Sequence, residues 1–308
     1  CDTFRCGIGS MEKSARTTAR TTLRSACILA IVGFSLASCM SFPIPALTPS
    51  EPAALRVATM NIRAVNLDIE DPAFRGGAVG EYLLGNDPDI VFLQEAAAFR
   101  GGSIVRPCPV AAVIQERLID YGWIRPVGVS TLSGSNPILY RQSRFMPVRQ
   151  GILWMSDTPE IPDSRTWGNS IPRYATWAVL YDVRGGRHVF VANVHLDHLS
   201  QATNRRAAEL LMETLAQEAR GATAVLGGDF NSSPLMRTRR VLARELNSAL
   251  EPRDGATYTS FPRLQIDGIY FSDDFELLNC IIDRESAAGP IGSDHAAVWV
   301  DLIPTSGG

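Results

Sequence analysis

The sequence predicts an α/β domain in which two packed β-sheets are flanked by helices. Short apolar runs recur from residue 55 to residue 304. Several of them are apolar at successive positions, as in the Val-Phe-Val-Ala-Asn-Val run at 189–194, which suits strands covered on both faces. The helical patterns between the runs are too few for strict strand–helix alternation, and that favours two packed sheets over one doubly wound sheet.

The predicted strands, in order, are Leu55–Ile62, Asp89–Gln94, Pro137–Arg141, Tyr174–Tyr181, His188–Leu196, Ala222–Leu226, Gln265–Phe271 and Ala296–Leu302. Three helices are predicted. Val110–Tyr121 follows Pro109. Leu199–Ala219 carries Ala207, Leu210, Leu211, Leu215 and Ala219 at three- and four-residue spacing. Leu235–Leu250 begins after Pro234.

The first 54 residues read differently. Cys1–Ser10 precede the first methionine, Met11, and read as an over-extended gene start. Lys13, Arg16, Arg20 and Arg24 then lead into an apolar stretch from Ala26 to Leu36 and a run of small residues. That order is the one a secretory signal has, and the apolar stretch is too short for a stable membrane span. Leu36-Ala37-Ser38-Cys39 resembles the bacterial lipobox, in which the cysteine is diacylated and becomes the new N-terminus. Lipid on Cys39 would anchor the protein in the cell envelope. By the same resemblance, Met40 rather than Asp implies sorting to the outer membrane of a diderm host, with the domain facing the periplasm. Residues 39–54, with Pro43, Pro45, Pro49 and Pro52, read as an extended tether. The expected organisation is therefore 1–38 start and signal, 39–54 tether, 55–304 a single domain, and 305–308 a tail.

Of 308 residues, 45% are hydrophobic and 20% charged, which excludes a disordered or fibrous chain. The formal net charge is −3, and removal of the basic signal makes the rest more acidic. Such a surface argues against tight non-specific binding to DNA, without excluding a local basic cleft. The domain keeps Cys108 and Cys280, which either pair in an oxidising compartment or stand as buried free thiols.

Polar residues stand where the apolar runs end. They are Asn61 in Thr-Met-Asn-Ile-Arg, Glu95 after Asp-Ile-Val-Phe-Leu-Gln, and His195, Asp197 and His198 after the 189–194 run. Asp229 and Asn231 lie in Gly-Gly-Asp-Phe-Asn, Asp267 starts Asp-Gly-Ile-Tyr-Phe, and Asp294 and His295 precede the last strand. Each alone has an ordinary reading as a turn former, an exposed strand end or a core histidine. Together they place carboxylate, amide and imidazole groups at a rim where the core stops. The ordered series resembles the endonuclease/exonuclease/phosphatase superfamily over about residues 55–303.

That resemblance implies a four-layer α/β/β/α sandwich of two mixed sheets, with the active site at one end. It also implies a metal-dependent phosphoesterase. A divalent cation such as Mg²⁺ or Mn²⁺ offsets the charge of a phosphate ester, and hard oxygen ligands suit it. By motif match, Glu95 is a metal ligand and Asn61 a ligand or positioning group beside it. Asp294 holds the same metal or a second one. His295 is the candidate general base, oriented by Asp267. Asp229 orients the attacking water, Asn231 binds phosphate or metal, and His195 contacts the scissile phosphate and is a candidate to protonate the leaving group. Which histidine is acid and which base stays open. Arg173, before Tyr-Ala-Thr-Trp, is a candidate phosphate ligand, because a guanidinium fork matches phosphate oxygens. Asp197 and His198 read as loop residues, and Trp167 and Trp177 as packing residues.

Phosphodiester hydrolysis by in-line attack of water, in the manner of a nuclease, is the expected activity, carried out by a monomer. Alternatives are a phosphomonoesterase acting on small phosphates such as inositol phosphates, a phospholipid head-group diesterase, and an inactive binding module. No lost ligand favours the last, and no aromatic loop in the sequence favours a lipid substrate.

Overall fold

The computed structural model describes residues 54–63, 71–96, 98–100, 103–105, 109–125, 135–169, 171–288 and 291–305. The signal, Cys39, Cys108 and the tether up to residue 53 lie outside them. In chain order the elements are β1 Leu55–Asn61, α1 Pro72–Asn86, β2 Ile90–Gln94, β3 Ala98–Arg100, β4 Ser103–Val105, α2 Pro109–Arg117, β5 Tyr121–Ile124, β6 Ile138–Arg141, β7 Phe145–Trp154 and β8 Tyr174–Asp182. Then come β9 Arg187–His195, α3 Gln201–Glu218, β10 Thr223–Asp229, α4 Arg237–Leu242, β11 Asn247–Ser248, β12 Asp267–Phe271, β13 Phe275–Asp283, α5 Arg284–Ala288 and β14 Ala297–Pro304.

Two six-stranded sheets form, in the orders β13-β14-β1-β2-β6-β5 and β11-β12-β10-β9-β8-β7. Each has one parallel pair at its centre, β1 with β2 and β9 with β10, among antiparallel neighbours. Both sheets are therefore mixed. Strand parity explains the layering. Leu55, Val57, Ile90, Phe92, Val189, Val191, Val225 and Ile269 face inward and fill the space between the sheets. Their neighbours Ala58, Met60, Val91 and Leu93 face α1 and α2 on one outer side. Phe190, Ala192, Leu226 and Tyr270 face α3 and α4 on the other. The result is the four-layer α/β/β/α sandwich.

The helix termini follow from local chemistry. Asp71 caps α1 by accepting from the Ala73 and Phe74 amides at 3.0 Å, with Pro72 in the first turn. Ser200 caps α3 in the same way. The helix expected over Leu235–Leu250 is shorter: α4 ends at Leu242, and β11 pairs with the edge of β12. Its apolar residues serve a turn and a strand as well as a helix face. The helix expected to Tyr121 ends at Arg117, because Tyr121 starts β5.

Candidate active site

The inward rows of strand residues change character at one end of the sandwich. The row Leu55, Val57, Thr59 of β1 ends in Asn61. The rows Val225, Gly227 of β10 and Val189, Val191, Asn193 of β9 end in Asp229 and His195. The row Phe271, Ile269 of β12 ends in Asp267. Asp229 pairs in register with His195 on one side and Asp267 on the other, so these three side chains stand abreast. The glycines of Gly-Gly-Asp-Phe-Asn have a geometric cause. A methyl group on Gly227 would collide with the Phe92 ring of the opposite sheet, and Gly228 has φ +146° against the Val194 carbonyl.

The sheets are tied just below this rim. The Gln94 amide donates to Asn193 Oδ1 at 2.7 Å and to Thr59 Oγ1 at 3.1 Å, and Asn193 donates onward to the Leu93 and Pro137 carbonyls. Asn61, in register with Gln94, then bridges the rim. Its Nδ2 donates to Glu95 Oε1 at 3.1 Å and to Asp229 Oδ2 at 3.2 Å. Glu95 adopts φ +54°, a conformation non-glycine residues rarely hold and one that recurs at functional sites.

The two histidines flank Asp229. Oδ2 of Asp229 lies 3.6 Å from His195 Nε2 and 3.9 Å from His295 Nε2. His295 Nδ1 meets Asp267 Oδ2 at 2.9 Å, which leaves Nε2 facing the hollow. Asp294 Oδ1 is 3.9 Å from that Nε2, and its Oδ2 pairs with Arg63 at 3.2 Å. Arg173 is buried, and the charges of Asp229, Asp197 and Glu95 act on its guanidinium. Its Nη2 lies 3.3 Å from His198 Nδ1.

Among the sequence-derived candidates, Asn61, Glu95, His195, Asp229, Asp267, Asp294, His295 and Arg173 thus converge. Asn231 lies beside them with its amide turned to the backbone. Its Nδ2 donates to the Leu196 carbonyl at 3.0 Å and its N–H to Asp229 Oδ1 at 2.9 Å, so it braces the ends of β9 and β10. Trp167 and Trp177 pack against the α3-side core.

Several supporting residues escaped sequence reasoning. Ser293 donates to the Asn61 carbonyl and accepts from the His295 amide. The Tyr258 ring lies 5.1 Å from the His295 ring. Arg75 of α1 donates to the Ile62, Arg63 and Gly292 carbonyls, joining the two loops that carry Asn61 and Asp294. Ser293 directly precedes the Asp294–His295 pair in the sequence, whereas the contexts of Tyr258 and Arg75 carry no motif. Only the fold brings them to the rim.

Burial and the adjacent Asp267 charge push the Asp229 carboxyl up to about 7. Burial works against the charged form of His295, but Asp267, Asp229 and Asp294 override it and raise the imidazole to about 10. His195 goes the other way: burial, followed by the positive charges of Arg173 and His295, holds it well below its ordinary value. So much negative charge in a buried hollow fits a divalent cation. Among the described residues, Asp229, Asp267 and His295 offer ligand atoms within 4.8 Å of one another. His295 Nδ1 and Asp267 are already committed to each other, however. Glu95 is the carboxylate left for a hard cation, with Asn61 positioning it: Asn61 turns its Nδ2 to Glu95 and Asp229 while its Oδ1 accepts from the Arg63 amide at 3.0 Å.

A family model described as Endonuclease/Exonuclease/phosphatase family matches residues 58–295. The chain belongs to this family, whose fold is that of phosphoesterases. No curated protein matches the chain. The fold is similar to that of an endonuclease/exonuclease/phosphatase family protein from Bacteroides thetaiotaomicron, at 24% identity and TM-score 0.69, over 83% of this chain and 100% of that one. It is also similar to a mannosyl-6-phosphatase from the same organism, at 24% identity and TM-score 0.67, over 81% and 99%. D. rerio TDP2 in complex with a single-strand DNA product aligns at 15% identity and TM-score 0.61, over 81% and 98%.

Proposed function

We propose that the protein is an exported, divalent-metal-dependent phosphodiesterase that hydrolyses its substrate by in-line attack of water. The observation that carries this reading is the convergence of Asn61, Glu95, His195, Asp229, Asp267 and His295, from separate strand ends, on one hollow. Glu95, with Asn61 beside it, would hold Mg²⁺ or Mn²⁺, and Asp294 is near enough to the hollow to join them. When bound, the cation offsets charge on the phosphoryl oxygens.

The protonation pattern supports a division of labour. Asp229, raised to about 7, is poised to take the proton of the attacking water near neutral pH. His295, raised to about 10 and oriented by Asp267, keeps its proton and donates through Nε2 to a phosphoryl oxygen. This is a different assignment from the sequence-derived one, in which His295 is the candidate base and the acid and base roles stay open. His195 is held neutral and is suited to hydrogen-bond the phosphate rather than to protonate the leaving group. Arg173 supplies a buried positive charge for the same phosphate.

A phosphomonoester substrate is the second reading, favoured by that buried Arg173 and by the fold shared with the mannosyl-6-phosphatase. Assays of bis-p-nitrophenyl phosphate, p-nitrophenyl phosphate, plasmid DNA, RNA and inositol phosphates, with Mg²⁺ or Mn²⁺ and with EDTA, separate the two. Diester cleavage should exceed monoester cleavage and stop in EDTA. Asp229→Ala should lower kcat by about 10²–10⁴-fold. Full activity in EDTA would refute metal dependence. Export through Cys39 is tested by fatty-acid labelling of the protein and of Cys39→Ser, and equal labelling of the two would refute it.

A further inference from the structure

Behind Arg173 lies a small cavity with about 10 Å³ of room for the centre of a water molecule. Asn169, Arg173 and Asp197 line it together with apolar Trp167 and Leu196. The three polar residues are 6%, 5% and 2% exposed, and each is fixed by one polar atom while another is left over. Asp197 Oδ1 accepts from the Leu199 and Ser200 amides at 2.7 and 3.0 Å at the start of α3, and Oδ2 is buried with no protein partner among the described residues. Asn169 Nδ2 donates to the Ile171 carbonyl at 2.9 Å, leaving Oδ1. Arg173 Nη2 faces His198, leaving Nε. The other two polar side chains here are spent elsewhere: Asn204 accepts from the Asp197 N–H and donates to its carbonyl, and Thr203 Oγ1 donates to the Ser200 carbonyl at 2.8 Å.

The leftovers are two acceptors and one donor. A single water molecule matches that set, giving its two hydrogens to Asp197 Oδ2 and Asn169 Oδ1 and accepting from Arg173 Nε. The space is that of one water, and buried waters make two to four such bonds. Direct burial of a guanidinium N–H and a carboxylate oxygen without partners would be costly.

We propose that Asp197 and Asn169 are positioning residues that clamp Arg173 through one buried water, aiming the far side of its guanidinium at the substrate phosphate. The clamp deepens the reading in which Arg173 binds phosphate, and rests on it. Asp197 thereby has two tasks. It braces the turn leading into α3 with one oxygen, and with the other it holds the side chain that recognises the anion. Its place two residues after His195 puts both ends of phosphate recognition on one turn of chain.

Inorganic phosphate affinity, measured by calorimetry on the full chain with Mn²⁺ present, tests this without relying on turnover. Asp197→Asn keeps the oxygen that braces the turn into α3 and removes the charge and the second acceptor. It should weaken phosphate binding about tenfold, with a melting temperature within about 2 °C of the parent. In an Arg173→Ala background the same substitution should change nothing further. A high-resolution crystal structure should show one ordered water bonded to all three side chains. Unchanged affinity in Asp197→Asn, a full effect that persists in Arg173→Ala, or a direct Arg173–Asp197 bond in place of the water would each overturn the clamp. If Arg173→Ala itself leaves phosphate affinity unaltered, the parent assignment of Arg173 fails, and the clamp with it. If Arg173→Ala weakens binding and Asp197→Asn does not, only the clamp fails.

Discussion

His295 Nδ1 lies 2.9 Å from Asp267 Oδ2 and 3.1 Å from Oδ1, with both side chains buried at the rim of the two sheets. The Asp267 backbone is itself fixed, its N–H donating to Thr257 Oγ1 at 3.0 Å. The pair sets both the orientation of the imidazole and its hold on a proton. Asp267→Asn keeps the shape but removes the charge that holds His295 protonated. Its kcat on bis-p-nitrophenyl phosphate should fall about 10²–10⁴-fold with KM little changed. A kcat within threefold of the parent would take His295 out of the reaction.

In the protein stripped of divalent cations, Asp229 titrates at about 7 in place of 3.8, and His295 at about 10 in place of 6.5. Both groups bind a proton more tightly folded than unfolded. The stability they contribute is present at low pH and is lost as pH rises, from about 4 to 7 for Asp229 and from about 6.5 to 10 for His295. In EDTA the melting temperature should therefore fall between pH 6 and pH 9, and Asp229→Asn should flatten the lower part of that slope. Saturating Mn²⁺ should flatten it as well, since a cation offsets the carboxylate charge. A melting temperature that rises over this range in EDTA contradicts the assignment.

The central strands were legible because their residues are apolar on both faces or alternate into a polar terminus, and that terminus also betrayed the site. Edge strands carry no such signal. β7 holds Pro147 and a largely exposed middle, and β13 is half-buried or exposed at every position after Phe275, with a bulge between Leu277 and Asn279. Helix α1 was hidden by its glycines. A Cβ at Gly76 would meet Val113 and the Val110 carbonyl of α2, and one at Gly80 would meet Arg117. Glycine weakens the helical pattern while permitting the close helix contact. Arg75 and Tyr258 act through three-dimensional neighbours, so no spacing along the chain could mark them.

Arg75 donates from one guanidinium to the Ile62 carbonyl at 2.7 Å, the Gly292 carbonyl at 3.0 Å and the Arg63 carbonyl at 3.2 Å. It fixes the spacing between the turn after Asn61 and the turn before Asp294. Arg75→Ala should lower Mn²⁺ affinity about 10–100-fold by calorimetry, as loss of a supporting contact does at metal sites. Arg75→Lys, with one point charge and no fork, should recover part of it. Equal Mn²⁺ affinity in the parent and Arg75→Ala would show that the two turns hold their spacing without it.

At the end of the sandwich away from the site, Arg144 is buried between two carboxylates. It donates to Asp89 Oδ2 at 2.8 Å and to Asp182 Oδ1 and Oδ2 at 3.1 and 2.9 Å. Asp89 leads into β2 of one sheet, and Asp182 ends β8 of the other. The guanidinium therefore joins the two sheets at this end, as Gln94 and Asn193 join them near the site. Arg144→Met would leave two buried carboxylates facing each other, a loss of about 3–5 kcal/mol. Urea unfolding should show that loss, while kcat per folded molecule stays at the parent value, because the strands between carry the core and not the chemistry. A drop in kcat beyond the unfolded fraction would mean that sheet spacing at one end sets the His195–Asp229–His295 geometry at the other.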